Sequence, residues 1–154
     1  IVGNHERKRE DQWLDILSSV DIVHTLSQKP TYIHDASTKV ALYGIDAVLP
    51  QKWNSTDFSL DKPTEDVDYS MLCMHQLLSP PISEESHMDT YSSEKVLNRL
   101  HYDIDILALG DCHYPFDAEV DGTYVYYGGA TERTTKDQDH ACVSVLSFDQ
   151  DSFD

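Results

Sequence analysis

Three short apolar runs in this chain each end on a histidine. Ile1-Val2 leads into Gly3-Asn4-His5-Glu6, Ser70–His75 reads SMLCMH, and Asp105–Leu109 (DILAL) runs into Gly110-Asp111-Cys112-His113. Apolar runs this short are the mark of strands buried in a sheet rather than of helices. In open α/β folds, the residues just past the C-terminal ends of such strands converge in one crevice. His5, His75 and His113 are therefore expected near one another, although they stand far apart in the chain. His24, His34, His87, His101 and His140 sit in polar or irregular context and read as surface histidines.

The rest of the chain supports a layered α/β fold. Glu10–Val20 has helical periodicity, with Trp13, Ile16, Leu17 and Val20 on one face and Trp13 expected in the core. Val23–Leu26 and Thr31–Ile33 read as short extended pieces. Val40–Val48 (VALYGIDAV) reads as a strand, with Gly44 marking a bulge. The polar, proline-punctuated stretches 50–68 and 79–92 read as loops. Ser93–Leu100 reads as a short helix capped by Ser93. Asp121-Gly122 is a hairpin-type dipeptide, and Thr123–Tyr127 and Ala141–Phe148 complete the expected strands. Residues 1–148 read as one domain and 149–154 as an acidic tail.

Charge narrows the possible partners. The chain carries 28 acidic against 11 basic residues, a formal net charge of −17. Such a surface repels nucleic acid unless bound divalent cations supply local positive charge, or molar salt screens the repulsion. The excess suits a salt-loving host. The 3 cysteines show no paired spacing, so free thiols in a reducing cytoplasm are expected rather than a disulfide framework. No apolar run approaches the roughly 20 residues that a membrane-spanning helix needs, and no membrane association is expected.

Imidazole, carboxylate and amide oxygen together suit manganese, iron or zinc in an open or octahedral site. A pair of such metals clamps a phosphate and activates water for in-line displacement. The motifs VGNHE, MLCMHQLLSPP and DILALGDCHYP, in this order, resemble those of the calcineurin-like metallophosphoesterases. Within that superfamily the chain is similar to the DNA double-strand-break repair nucleases of the Mre-eleven/SbcD type, in an archaeal, haloarchaeal form. The segment YVYYGGATERT carries the narrower resemblance, which extends through DQWLDIL and VALYGIDAV to about Thr135.

The resemblance implies a metallophosphoesterase sandwich of mixed sheets flanked by helices, incomplete at the N-terminus. It implies two divalent metals in the intact protein, manganese by preference and magnesium as the alternative. By the resemblance, Asn4 and His75 ligate one metal, His113 ligates the other, and His5 acts on the scissile phosphate as the catalytic residue. Glu6 is an orienting neighbour at most. Asp111 departs from the family, whose motif is Gly-His-x-His; it is taken here as a metal ligand, with a loop-capping role as the alternative. Arg133 is a weak candidate for phosphate contact, and a structural salt bridge competes with it. Gln76 and the Leu77–Pro81 loop are candidates to line a DNA groove, though nothing in the sequence itself singles them out.

In the family two motifs stand before Gly-Asn-His-Glu, an Asp-x-His and a Gly-Asp-x-x-Asp whose Asp bridges the metals, and this chain is read as starting after them. The chain alone is accordingly expected to bind at most one metal weakly and to be inactive. The intact protein is expected to cleave DNA ends, single- and double-stranded, in double-strand-break repair. Its expected partners are a coiled-coil ABC-type ATPase of the Rad-fifty/SbcC type and a second copy of itself, in the cytoplasm at the nucleoid. The rival readings are a general metallophosphoesterase acting on a small phosphoester, and a non-catalytic remnant or interaction module.

Overall fold

The computed structural model describes residues 1–3, 13–35, 37–83, 90–133 and 141–148. Helix α1 (Trp13–Ser19) comes first, then β1 (Thr31–His34), β2 (Lys39–Ile45), a 3-10 turn (Pro50–Ser55) and β3 (Tyr69–His75). The short strands β4 (Leu78–Ser79) and β5 (Tyr91–Ser92) precede α2 (Ser93–Leu97), and β6 (Ile106–Gly110), β7 (Pro115–Val120) and β8 (Thr123–Gly128) follow. Six strands form one sheet in the order β1-β2-β3-β6-β8-β7, while β4 and β5 pair separately. The inner strands β2, β3, β6 and β8 are parallel, and the edge strands β1 and β7 run antiparallel to their neighbours. The architecture is thus the mixed α/β class expected from the sequence, with a mostly parallel sheet and few helices.

Side chains alternate across each strand, so the register sorts the sheet into two faces. One face carries the rows Tyr43–Leu72–Leu107–Val125 and Ile45–Met74–Leu109–Tyr127, all of them buried. Trp53, Phe58, Leu60, Val96 and Leu100 close over these rows. The 50–68 stretch is therefore irregular, as its composition implies, yet it anchors the core. Trp53 stacks on Tyr91 with ring centroids 3.7 Å apart. Arg99 lies 4.2 Å from the Phe58 ring centre and donates to the carbonyls of Trp53 at 3.1 Å and Thr56 at 2.5 Å. A cation over an aromatic face, with its N–H groups satisfied, ties the loop to the residues after α2.

The second face carries the rows Leu42–Met71–Ile106–Tyr124 and Gly44–Cys73–Ala108–Tyr126, followed by His75–Gly110. Apart from the buried Gly44 and Ile106, its residues are half-buried. Gly44 keeps regular register with Cys73, so the expected bulge does not form. A Cβ at Gly44 would come within 2.5 Å of both Ile1 and Leu26; the glycine permits close approach instead. The N-terminal residues are held there by Ala47 N–H donating to Val2 O at 2.9 Å and by Val2 N–H donating to Asp46 Oδ1 at 2.7 Å.

Other expectations are corrected in detail. Helix α1 buries the expected face only in part: Leu17 is half-buried, but Ile16 is 49% and Val20 59% exposed. Residues 10–12 of that predicted helix, and the side chain of Trp13, lie outside the described residues. Val23–Leu26 is irregular. The cap of α2 is Ser92, whose Oγ accepts from Lys95 N–H at 3.2 Å. Ser93 is instead buried and donates to the Pro80 carbonyl. Ala141–Phe148 forms no strand beyond a single bridge at Phe148. Cys142 N–H donates to Ala130 O at 2.9 Å, and the Phe148 ring meets Tyr69 at 5.3 Å. Apolar alternation shows that a segment suits a sheet, but a strand also needs a neighbour offering its backbone groups. Val143 and Val145 remain 78% and 82% exposed.

Candidate metal centre

Strands β3 and β6 are adjacent and parallel, and the last pair in their register is His75 with Gly110. The sheet therefore delivers His75 and Asp111 side by side at its C-terminal rim. Gly110 is required for this arrangement. A Cβ there would stand 2.7 Å from Nδ1 of His75, inside van der Waals contact, so only glycine leaves room for the imidazole. Asp111 then adopts φ 82°, a left-handed conformation that aspartate tolerates better than most residues. This turn swings its carboxylate back toward the histidine.

His75 Nε2 and Asp111 Oδ1 lie 3.5 Å apart, with each side chain about one-quarter exposed (27% and 25%). That separation exceeds a good N–H···O hydrogen bond. It is close to the spacing, about 3 Å, of two donors bound at adjacent positions about 2.1 Å from one metal ion. An imidazole nitrogen, a carboxylate oxygen and a glycine cradle that a Cβ would fill together suit a divalent cation of borderline or hard character. The thiols offer no competition. Burial raises the pKa values of Cys73 and Cys112, which keeps both protonated, and all 3 cysteines are free.

The other expected residues are placed as follows. His113 is exposed on the loop after β6, where its carbonyl accepts from Ala130 N–H at 3.2 Å. Among the described residues, no group of three or more His, Cys, Asp or Glu side chains is gathered to hold a metal; His75 and Asp111 are brought together as a pair. Asn4, His5 and Glu6 lie outside the described residues. Arg133 is exposed. Gln76 is half-buried, and its Oε1 accepts from Val48 N–H at 3.1 Å. Leu78 and Ser79 of the following loop are buried. Beside the pair, on the second face, an open hollow of about 320 Å³ is lined by Ile1, Ala108, Gly110, Tyr126, Gly128 and Cys142, among others.

One supporting residue was not legible in the sequence. The hydroxyl of Tyr127 donates to the Gln76 carbonyl at 2.8 Å and accepts from Leu78 N–H at 2.6 Å. It grips the turn that follows His75 from a strand that is not β3's neighbour. A tyrosine in an apolar strand carries no sign of such a role, because the contact spans 49–51 residues of chain.

No family model matches the chain. Curated relatives do match it. The DNA double-strand break repair protein Mre11 of Haloferax volcanii is 35% identical over 155 residues, covering 100% of this chain and 33% of the relative. The protein of the same name from Halobacterium salinarum is 30% identical over 154 residues, covering 99% of this chain and 37% of the relative. That from Methanosarcina mazei is 31% identical over 138 residues, covering 88% and 21% respectively. The chain thus spans about a third or less of the length of these relatives. No described helix is long and apolar enough to cross a membrane. The chain is thus similar, along nearly all of its own length, to a part of the Mre11 DNA double-strand break repair proteins.

Proposed function

We propose that this chain supplies part of the metal centre of a divalent-metal-dependent nuclease that hydrolyses DNA phosphodiesters at double-strand breaks. The observation that carries the reading is the His75–Asp111 pair at the rim of parallel strands, in a chain similar along its length to Mre11 proteins. When bound, a divalent metal, manganese by preference over magnesium, supplies positive charge that polarises the phosphate and acidifies water. His75 and Asp111 hold one ion through Nε2 and Oδ1, with the side-chain oxygen of Asn4 joining them. His113 belongs to a second ion. His5 acts at the phosphate and holds the proton that the leaving oxygen takes, and Arg133 is the weakest assignment, a phosphate contact. Residues 1–148 act as part of a metallophosphoesterase domain. The partners of the intact protein are DNA ends, a coiled-coil ABC-type ATPase and a second copy, in the cytoplasm at the nucleoid. These 154 residues alone are proposed not to turn over.

The test is manganese-dependent cleavage of linear duplex DNA by the natural protein, compared with His75→Ala and Asp111→Asn. Loss of cleavage in both variants, with unchanged melting behaviour, is the expected result. Undiminished cleavage by His75→Ala sinks the reading. Turnover of a small phosphodiester without any DNA cleavage replaces it with a general phosphoesterase. Cleavage by the 154-residue chain alone refutes the claim of isolated inactivity.

A further inference from the structure

We propose that Tyr127 is a positioning residue for His75, and that it sets the metal affinity of the site without touching the metal; this rests on the metal-centre reading above. The ring of Tyr127 is 1% exposed and sits on the core face of β8, whereas His75 belongs to the opposite face of the sheet. The two communicate through the backbone. The phenol accepts from Leu78 N–H at 2.6 Å and donates to Gln76 O at 2.8 Å. One hydroxyl thus satisfies both a donor and an acceptor in the turn immediately after His75. Gln76 adds a second brace, its Oε1 accepting from Val48 N–H at 3.1 Å.

The same end of β8 also steadies the other loop of the site, because Ala130 N–H donates to His113 O at 3.2 Å. The chain leaves the main sheet after His75: Leu77 O accepts from Tyr91 N–H at 3.0 Å and Leu78 pairs with Tyr91 of β5, while Gln76 O and Leu78 N–H go to the Tyr127 hydroxyl. A buried hydroxyl with both of its bonds made is a stiff support, since leaving either partner unsatisfied in the interior is costly. Without it, the turn has freedom to rotate His75 off the Gly110 cradle. Partners that fix a metal-binding histidine typically influence affinity by about 10- to 100-fold.

The experiment compares Tyr127→Phe with Tyr43→Phe in the natural protein. Tyr43 is an equally buried tyrosine on the same face, whose hydroxyl donates to Asp61 O at 3.1 Å, on a connection that carries no site residue. Two readouts are taken: manganese affinity by titration calorimetry, and the ring resonances of His75 in metal-free protein, assigned with His75→Gln. The expected result is that Tyr127→Phe weakens manganese binding by about 10-fold or more and shifts or broadens the His75 resonances, while Tyr43→Phe does neither. Identical His75 spectra and equal affinities in the two variants overturn the proposal. If the wild type binds no manganese, the metal-centre reading falls and the metal-free spectra still decide whether Tyr127 positions His75. If Tyr127→Phe fails to fold, hydrogen exchange at Leu78 N–H in the unaltered protein is read instead: strong protection is expected from its bond to the Tyr127 hydroxyl, and exchange as fast as in an exposed loop counts against the proposal.

Discussion

Gly110 shows how little tolerance the site has. The nearest atom to its missing Cβ is Nδ1 of His75 at 2.7 Å, in the ring of the last residue of β3. Gly110→Ala is therefore expected to displace the imidazole and to cost about 1–3 kcal/mol, as overpacking does, with loss of manganese binding. Urea denaturation and a metal titration check the two effects together, and an unchanged affinity contradicts the cradle. Asp111 makes the complementary point. At φ 82°, Asp111→Gly relieves backbone strain, whereas Asp111→Ala keeps it and loses the polar side chain that makes it tolerable. The alanine variant is expected to be the less stable of the two by about 1 kcal/mol, although both lose the carboxylate; equal urea midpoints refute this. His75 and Asp111 were legible in the sequence because each follows an apolar run, and strand ends converge. The clearance at Gly110 was not legible, because it depends on a neighbour 35 residues away in register.

Among the elements, the inner strands were the most legible. SMLCMH and DILAL are largely apolar because central parallel strands bury one face fully and the other in part, and the left-handed pair Asp121 (φ 51°) and Gly122 (φ 82°) makes the hairpin that the dipeptide announces. What failed were statements about partners. The patterns of α1 and of Ala141–Phe148 reveal an apolar side but not the element that meets it. The cap of α2 moved by one residue because the sequence offers two serines in succession. Ser92→Ala should cost about 1 kcal/mol through the lost bond to Lys95 N–H, measurable as a lower urea midpoint; a neutral result would mean that the cap contributes nothing. The core rows also bear on alkaline stability. Burial raises the phenol pKa of Tyr43 far above its ordinary value, which in the unfolded chain is about 10. The folded state thus retains a proton that the unfolded state releases, so stability is full below about pH 10 and falls as pH rises further, by about 1.4 kcal/mol per pH unit for such a group. Cys73 and Cys112 act in the same direction from about pH 8.5. Denaturation midpoints between pH 8 and 11 should decline, and Tyr43→Phe should flatten the upper part of the decline. An identical slope in the variant would contradict a buried, neutral Tyr43.

At the scale of the whole molecule, charge outweighs any single contact. A net charge of −17 on 154 residues opposes compaction by self-repulsion. Salt shortens the range of that repulsion from about 10 Å at 0.1 M to about 3 Å at 1 M. It also weakens favourable pairs such as Lys39–Glu65, 2.7 Å apart, but a surface ion pair contributes little against repulsion summed over the surface. The melting temperature is therefore expected to rise between 0.1 and 1 M KCl, in keeping with haloarchaeal relatives. Charge reversal separates screening from a general salting-out of apolar surface. Asp117 and Glu119 are exposed on the edge strand β7, opposite Tyr126 and Tyr124, and lysine is well suited to an exposed sheet edge. Asp117→Lys combined with Glu119→Lys reduces the excess by four charges. If self-repulsion governs stability, the variant melts higher than the wild type at low salt, and the difference closes as KCl is added. A constant difference at every salt concentration would instead assign the effect to local strand propensity, and a wild-type melting temperature insensitive to KCl would remove electrostatic repulsion from the account of this fold.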